Sequence, residues 1–176
     1  MIKKIAILGP ESTGKSWLAE KLASHYKTSW VPEFARTYLN SLQRYYTIQD
    51  IEFIAQSQFH NNQLASEKSI DIYFADTEMI VCYIWASYAN EVVPESITKL
   101  CLLQNFDLYL LCDIDLPWEP DPLREHPHKR KELFDRYVAE LEKRNLPYTV
   151  IKGLGNIRLE HAVSSIETWF KNTSND

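Results

Sequence analysis

The sequence predicts an α/β protein in which a parallel sheet is covered by helices on both faces. Three observations carry that prediction: short apolar runs of strand length, segments of helical period alternating with them, and four glycines confined to two loops, at 9 and 14 and at 153 and 155. Residues 2–8 form an apolar run cut off by Gly9-Pro10, as expected of a buried strand. Leu18, Ala19, Leu22 and Ala23 then recur at helical spacing within 16–26. A shorter strand is predicted at 28–31 and a helix over 34–42. Thr47 with Asp50 resembles a capping box that opens a helix from 48 to about 68. The third strand, 70–75, stops at Asp76-Thr77-Glu78, and helices over 79–88 and 95–104 precede a fourth strand at 107–112. Prolines at 117, 120, 122 and 127 then exclude a regular element until about His128. Leu133, Phe134, Tyr137, Val138 and Leu141 mark one face of the next helix. A fifth strand at 148–151, the second glycine loop and a helix to about Phe170 complete the pattern.

A chain of 176 residues is about one domain long, so a single domain is expected over 1–172, with 173–176 as a frayed C-terminus. The 19 basic and 24 acidic residues leave a net charge of -5, and no basic tract is dense enough to follow a phosphate backbone, which argues against nucleic acid as a partner. Cys82, Cys101 and Cys112 lie in apolar surroundings without CxxC spacing, as expected of reduced thiols. Neither a secretory leader nor a bilayer-length apolar run is visible, so a cytoplasmic protein without membrane partners is expected.

Residues 9–16, GPESTGKS, match G-x-x-x-x-G-K-[ST] between a strand and a helix, the context this phosphate-binding motif requires. Gly9 and Gly14 let the backbone curl so that successive N–H groups point at phosphate oxygens, and the following helix adds its positive end. Gly9, Glu11, Ser12, Thr13, Gly14, Lys15, Ser16 and Trp17 are therefore candidate ligands of ATP; Lys15 reaches the β- and γ-phosphates and the Ser16 hydroxyl ligates Mg²⁺. Asp76, at the end of an apolar strand, is placed either to hold Mg²⁺ through water or to cap the helix from Thr77 onward; the two are compatible.

A kinase also needs a cover that excludes water and an acceptor pocket, whereas a regulator that hydrolyses ATP slowly needs neither. The proline-stiffened segment supplies a candidate lid over about 116–130, with Arg124 as a catalytic candidate and Arg130 as a donor-binding one. Glu33 and Arg36 follow the second strand, at the sheet end where open α/β folds bind ligands. A carboxylate there holds sugar hydroxyls or takes the attacking proton; alternatively the two residues form only a surface ion pair. Phe34, Tyr38, Tyr83 and Trp85 could offer a face to a planar base, although aromatic residues serve core packing by default. Gly153-Leu154-Gly155-Asn156 either passes beside the donor base, with Gly153 and Asn156 as contacts, or is an ordinary turn capped by Asn156.

GPESTGKS, VPEFARTYL, ADTEM, CDIDLPWEPDPLREHPHKRKELFDRY and LPYTVIKG together resemble, in order and spacing, the ribosylnicotinamide kinase domain of NadR-type proteins. The combination E-[FY]-x-R after strand two with W-x-x-D-x-L-R in the lid is the specific part. The resemblance implies a P-loop kinase-like three-layer sandwich with strand order 2-3-1-4-5. It also implies ATP- and Mg²⁺-dependent phosphorylation of nicotinamide riboside, or of another nucleoside, at the 5′-hydroxyl. By matching motif, Lys15 and Ser16 hold donor phosphates and metal, Asp76 serves the metal or the acceptor hydroxyl, and Glu33 and Arg36 lie in the acceptor pocket. Trp118, Asp121 and Arg124 belong to the lid, with Arg124 aimed at phosphate. NadR-type proteins also carry an adenylyltransferase domain, absent from these residues, so the resemblance implies the kinase step alone. Pro32 stands where the family commonly has a stacking Trp; Phe34 or Trp30 would supply the ring instead.

Overall fold

A computed structural model describes residues 2–173. Lys3–Leu8 (β1) leads through the glycine loop into Lys15–His25 (α1), and Trp30–Val31 (β2) is a short strand. Phe34–Ser41 (α2), Ile48–Lys68 (α3), Ile72–Asp76 (β3), Met79–Ala89 (α4) and Glu95–Leu103 (α5) follow. Leu108–Cys112 (β4), Arg130–Lys143 (α6), Tyr148–Ile151 (β5) and Asn156–Thr173 (α7) complete the order. The frayed end expected over 173–176 lies outside the described residues beyond Thr173, the last residue of α7.

Every pairing is parallel, and the strands lie in the order β2-β3-β1-β4-β5, as in P-loop kinase folds. A parallel sheet has to be covered twice, and the strand period of two divides its side chains accordingly. Ile5 and Ile7 of β1 pack with Phe74 and Leu110 under α1 and α7, through Leu18, Leu22, Ala162 and Ile166. Ala6 and Leu8 face the other way, onto Ile80, Ile84, Leu133, Tyr137 and Leu141 of α4 and α6. A third core forms between helices alone: Ile51 and Ala55 of α3 meet Met79, Cys82 and Ala86 of α4 and Ile97 of α5. No helix among the described residues is long and apolar enough to cross a membrane.

Two strands, β2 and β3, begin two residues later than the hydropathy pattern predicts. Ile70 is 88% exposed, and pairing with β1 starts at Ile72, one residue after the Asp71 carbonyl accepts the Lys3 N–H. Before β2, Thr28 donates its hydroxyl to the Ile72 carbonyl at 2.6 Å, so a side chain ties that segment instead of a ladder. The capping box of α3 forms as predicted, with Asp50 accepting from the Thr47 N–H at 2.7 Å.

Candidate active site

Gly9 follows β1 with φ 142°, and a Cβ there would lie 2.8 Å from the Cys112 carbonyl oxygen at the end of β4. No larger residue fits without moving the sheet. Gly14 (φ 74°) is the left-handed N-cap of α1, and Ser12 has φ 57°. Left-handed residues two apart turn successive N–H groups toward one point, making an anion nest, to which the N-terminus of α1 adds its positive end. The Thr13 hydroxyl and the Lys15 ammonium both donate to the Pro10 carbonyl, at 2.8 and 2.9 Å, bracing the curl from inside.

Asp76 is the last residue of β3, opposite Ile7. It is 1% exposed, and neither carboxylate oxygen has a hydrogen-bond partner. Burial raises its pKa to about 6; the charge of Glu33 adds to the rise, while Lys15, the nearby Ser16 hydroxyl and Arg36 oppose it. The capping alternative is overturned, because Asp76 keeps strand register and Thr77, at φ 91°, turns the chain. Glu78 caps α4 instead, accepting the Ile80 N–H at 2.9 Å. A buried β-branched residue in that conformation costs on the order of 1–3 kcal/mol. An orphaned buried carboxylate beside a hydroxyl fits a hard divalent cation such as Mg²⁺, which takes oxygen ligands.

These carboxyls give a pH prediction. Burial raises Glu78 from the usual 4.5 to about 7, against the pull of the Ile80 and Val81 N–H groups, as it raises Asp76 from 3.8 to about 6. In both, folding favours the neutral form, so the stability this contributes is complete below the unfolded values and lost as pH rises through 6 and 7. Without metal, the protein should melt several degrees lower at pH 8 than at pH 5.5, a loss on the order of 3 kcal/mol. Calorimetry showing the reverse slope would contradict these burial assignments.

The glycine loop, α2, α4 and the proline-rich segment between β4 and α6 enclose a cavity of about 780 Å³ whose lining includes Lys15, Ser16, Glu33, Arg36, Trp85 and Arg124. The proline-rich segment is laced to the glycine loop. Glu11 accepts the N–H groups of Glu125 and His126 at 3.1 and 3.0 Å, and the Ser12 hydroxyl accepts the Glu119 N–H at 2.9 Å. Arg124 donates to the Ser12 hydroxyl at 3.4 Å and to the Glu119 carbonyl. On the far side, Arg36 pairs with Asp121 at 2.9 Å, and the Tyr46 hydroxyl donates to Glu125 at 2.8 Å while accepting from the Trp85 indole at 3.2 Å. The Leu123 N–H and then the Arg36 guanidinium hold Asp121 below the usual carboxylate range.

The structure thus gathers Gly9, Glu11, Ser12, Thr13, Gly14, Lys15, Ser16 and Trp17 with Glu33, Arg36 and Arg124 around one cavity. Asp76 is buried next to it, close enough for Lys15, Glu33 and Arg36 to act on its charge. Other candidates fall elsewhere. Phe34 stacks on Tyr38 and meets Phe53 of α3, each ring 6.0 Å away, because the first turn of α2 faces α3; it does not line the cavity. Trp30 packs into the core beneath α1 and α7. Trp118 lies with its ring 6.0 Å from both the Arg124 and Arg130 guanidinium groups, and Arg130 is committed to the Leu116 and Ser12 carbonyls at 2.8 and 3.3 Å. Asp121 takes up the Arg36 guanidinium in place of the local Glu33–Arg36 ion pair.

Of the second glycine loop and the helix after it, Gly155 and Arg158, not Gly153 and Asn156, line the cavity. Arg158 is 1% exposed and donates to the Gly153 and Ile151 carbonyls at 2.9 and 3.1 Å and to Asp115, which accepts the Gly153 N–H at 2.6 Å. Sequence reasoning missed this brace, since nothing local marks an Arg in a helix as buried. It missed Tyr46 and Tyr88 too; the Tyr45-Tyr46 doublet ahead of the capping box was the available signal.

NadR of Escherichia coli (strain K12), called a trifunctional NAD biosynthesis/regulator protein, is 27% identical over 159 residues, 86% of this chain. The chain spans 38% of that relative's length. A crystal structure of NadR protein in complex with NR superposes with a TM-score of 0.78 at 21% identity, covering 96% of this chain and 51% of that one. A NadR structure with NAD and AMP-PNP gives 0.74 at 21% identity, covering 96% and 49%. The AAA domain profile matches residues 4–158, and this chain, with its phosphate loop and kinase-type sheet order, belongs to the AAA domain family.

Proposed function

We propose that this chain is an ATP- and Mg²⁺-dependent kinase that phosphorylates the 5′-hydroxyl of nicotinamide riboside, giving nicotinamide mononucleotide. The observation that carries this reading is that the phosphate nest and the Glu33 carboxylate open into one cavity under an arginine-bearing cover. A cavity of about 780 Å³ lies toward the upper end of small-molecule sites and suits a donor's phosphates together with an acceptor. The likeness to NadR supports nicotinamide riboside as the acceptor.

In this reading residues 1–172 form one kinase domain and about 116–130 its lid. The acceptor oxygen bonds to the γ-phosphorus as the bond to the β–γ bridging oxygen breaks, and ADP leaves. Glu33, which lines the cavity, receives the hydroxyl proton. Lys15 and Arg124 offset charge on the transferring group. Ser16 and Asp76 would hold Mg²⁺, which would supply positive charge against the donor phosphates. Trp85, edge-on to Tyr46 with ring centroids 5.1 Å apart, offers the acceptor ring an aromatic wall in place of Phe34 or Trp30. The Arg36–Asp121 and Tyr46–Glu125 contacts tie the cover to the acceptor side, so that closure excludes water when both ligands are present.

An ADP-release assay over a panel of nucleosides and ribosides tests this. Nicotinamide riboside should raise turnover by at least about 10²-fold over ATP alone, the order of gain that oriented acid–base chemistry supplies. A larger response to another nucleoside would reassign the acceptor. Equal turnover with and without every acceptor would overturn the kinase reading.

A further inference from the structure

Two fully buried side-chain amides on α3 lie between the segments that carry Glu33 and Asp76. Gln58 is 0% exposed and Asn62 2% exposed, one helical turn apart. The Phe34 N–H, the first of α2, donates to Gln58 Oε1 at 2.8 Å. Gln58 Nε2 donates to Asn62 Oδ1 at 3.2 Å, and Asn62 Nδ2 donates to the Thr77 carbonyl at 3.4 Å. This is a single file of hydrogen bonds from the residue after Glu33 to the residue after Asp76. Its direction is forced: a backbone N–H can only donate and a carbonyl only accept, so both amides must point the same way.

Apolar residues of similar size would fill this space but would strip the Phe34 N–H and the Thr77 carbonyl of these partners, so the amides answer a backbone group on each neighbouring segment. What they do is join the ends of β2 and β3, which no ladder bond reaches: the β2–β3 register stops at Val31 and Ala75. Thr77 at φ 91° is held from both sides, its N–H on the Ile7 carbonyl at 3.2 Å and its own carbonyl on Asn62. We infer that Gln58 and Asn62 are positioning residues, which through this amide relay fix the acceptor-side carboxylate Glu33 and the metal-side carboxylate Asp76 relative to each other. Neither touches the cavity, and both act through the backbone of the residues they hold. The inference rests on the kinase reading for its catalytic consequence, but not for the relay itself.

The variants Gln58→Met, which removes the first two links, and Asn62→Asp, an isostere that turns the donor of the last link into an acceptor, are compared with Ile51→Val, a core change on the same helix. Each is assayed well below its melting temperature for kcat and for both KM values, and the Phe34 amide is followed by hydrogen exchange. Gln58→Met and Asn62→Asp should lower kcat about tenfold or more while leaving the KM for ATP within about twofold, because small misplacements of reacting groups are costly and the phosphate nest is untouched. Ile51→Val should keep its kcat at a comparable loss of melting temperature. In Asn62→Asp the Phe34 amide, which residue 62 does not touch, should exchange about tenfold faster. A kcat loss that simply tracks melting temperature across all three variants overturns the positioning role, and an unchanged Phe34 exchange overturns the relay. A wild-type protein that transfers phosphoryl to no acceptor would sink the kinase reading instead, and the exchange measurement would still decide the relay.

Discussion

Lys15→Ala is expected to lower kcat/KM by about 10³-fold or more and to weaken ATP binding, the largest effect of any single substitution in the site. The ammonium rests 2.9 Å from the Pro10 carbonyl, inside the curl that Gly9 and Gly14 form, so it supplies a full positive charge where the nest offers only amide dipoles. Phosphoryl transfer asks the protein mainly for positioning and charge neutralisation, and Lys15 brings its ammonium into the curl itself. The loop backbone, set by its left-handed residues and by the Thr13–Pro10 bond, should survive the change, so the fold is retained. Steady-state kinetics and calorimetric ATP titration check this, and wild-type values for both in Lys15→Ala would remove the phosphate-site assignment.

Asp76→Asn should separate activity from stability. Losing the charge opposite Ser16 should lower kcat by roughly 10²–10³-fold at saturating Mg²⁺, comparable to deleting one preorganised transition-state contact. Its effect on stability runs the other way. At pH 7.5 the native carboxylate is ionised, 1% exposed and unpartnered, with its pKa raised to about 6, so the charge is carried at a cost on the order of 3 kcal/mol. The amide carries none, and metal-free Asp76→Asn should melt several degrees above wild type at pH 7.5 but not at pH 4.5, where the native group is already neutral. A variant less stable at pH 7.5, with activity intact, would make Asp76 structural.

What was legible in the sequence is what is local. The first strand, glycine loop and helix are contiguous, so apolar period and motif specify one another, and the capping box of α3 closes within four residues. The strand order followed from the resemblance of several motifs taken together, since period alone does not order strands. The misplacements share a cause: each needed a partner distant in the chain. Arg36 pairs with Asp121, 85 positions away, rather than with Glu33 one turn away, because the proline-rich segment folds back across α2. Phe34 turns from the cavity because Phe53 of α3 meets it. Arg158 sits in a segment that reads as an exposed helix start, and the Asp115 carboxylate with the Gly153 and Ile151 carbonyls brought beneath it makes burial tolerable.

The separate core shared by α3, α4 and α5 bears on how such a protein can change its diet. Trp85 and Tyr46 pack against this helix core, whereas α4 meets the sheet through a different face, with Ile80 and Ile84, so changes around Trp85 or Tyr46 fall away from the strands that anchor the phosphate loop. In the kinase reading, descendants of this chain can therefore drift toward new acceptors while inheriting an unaltered grip on the donor, which makes the acceptor half the place where relatives should diverge fastest.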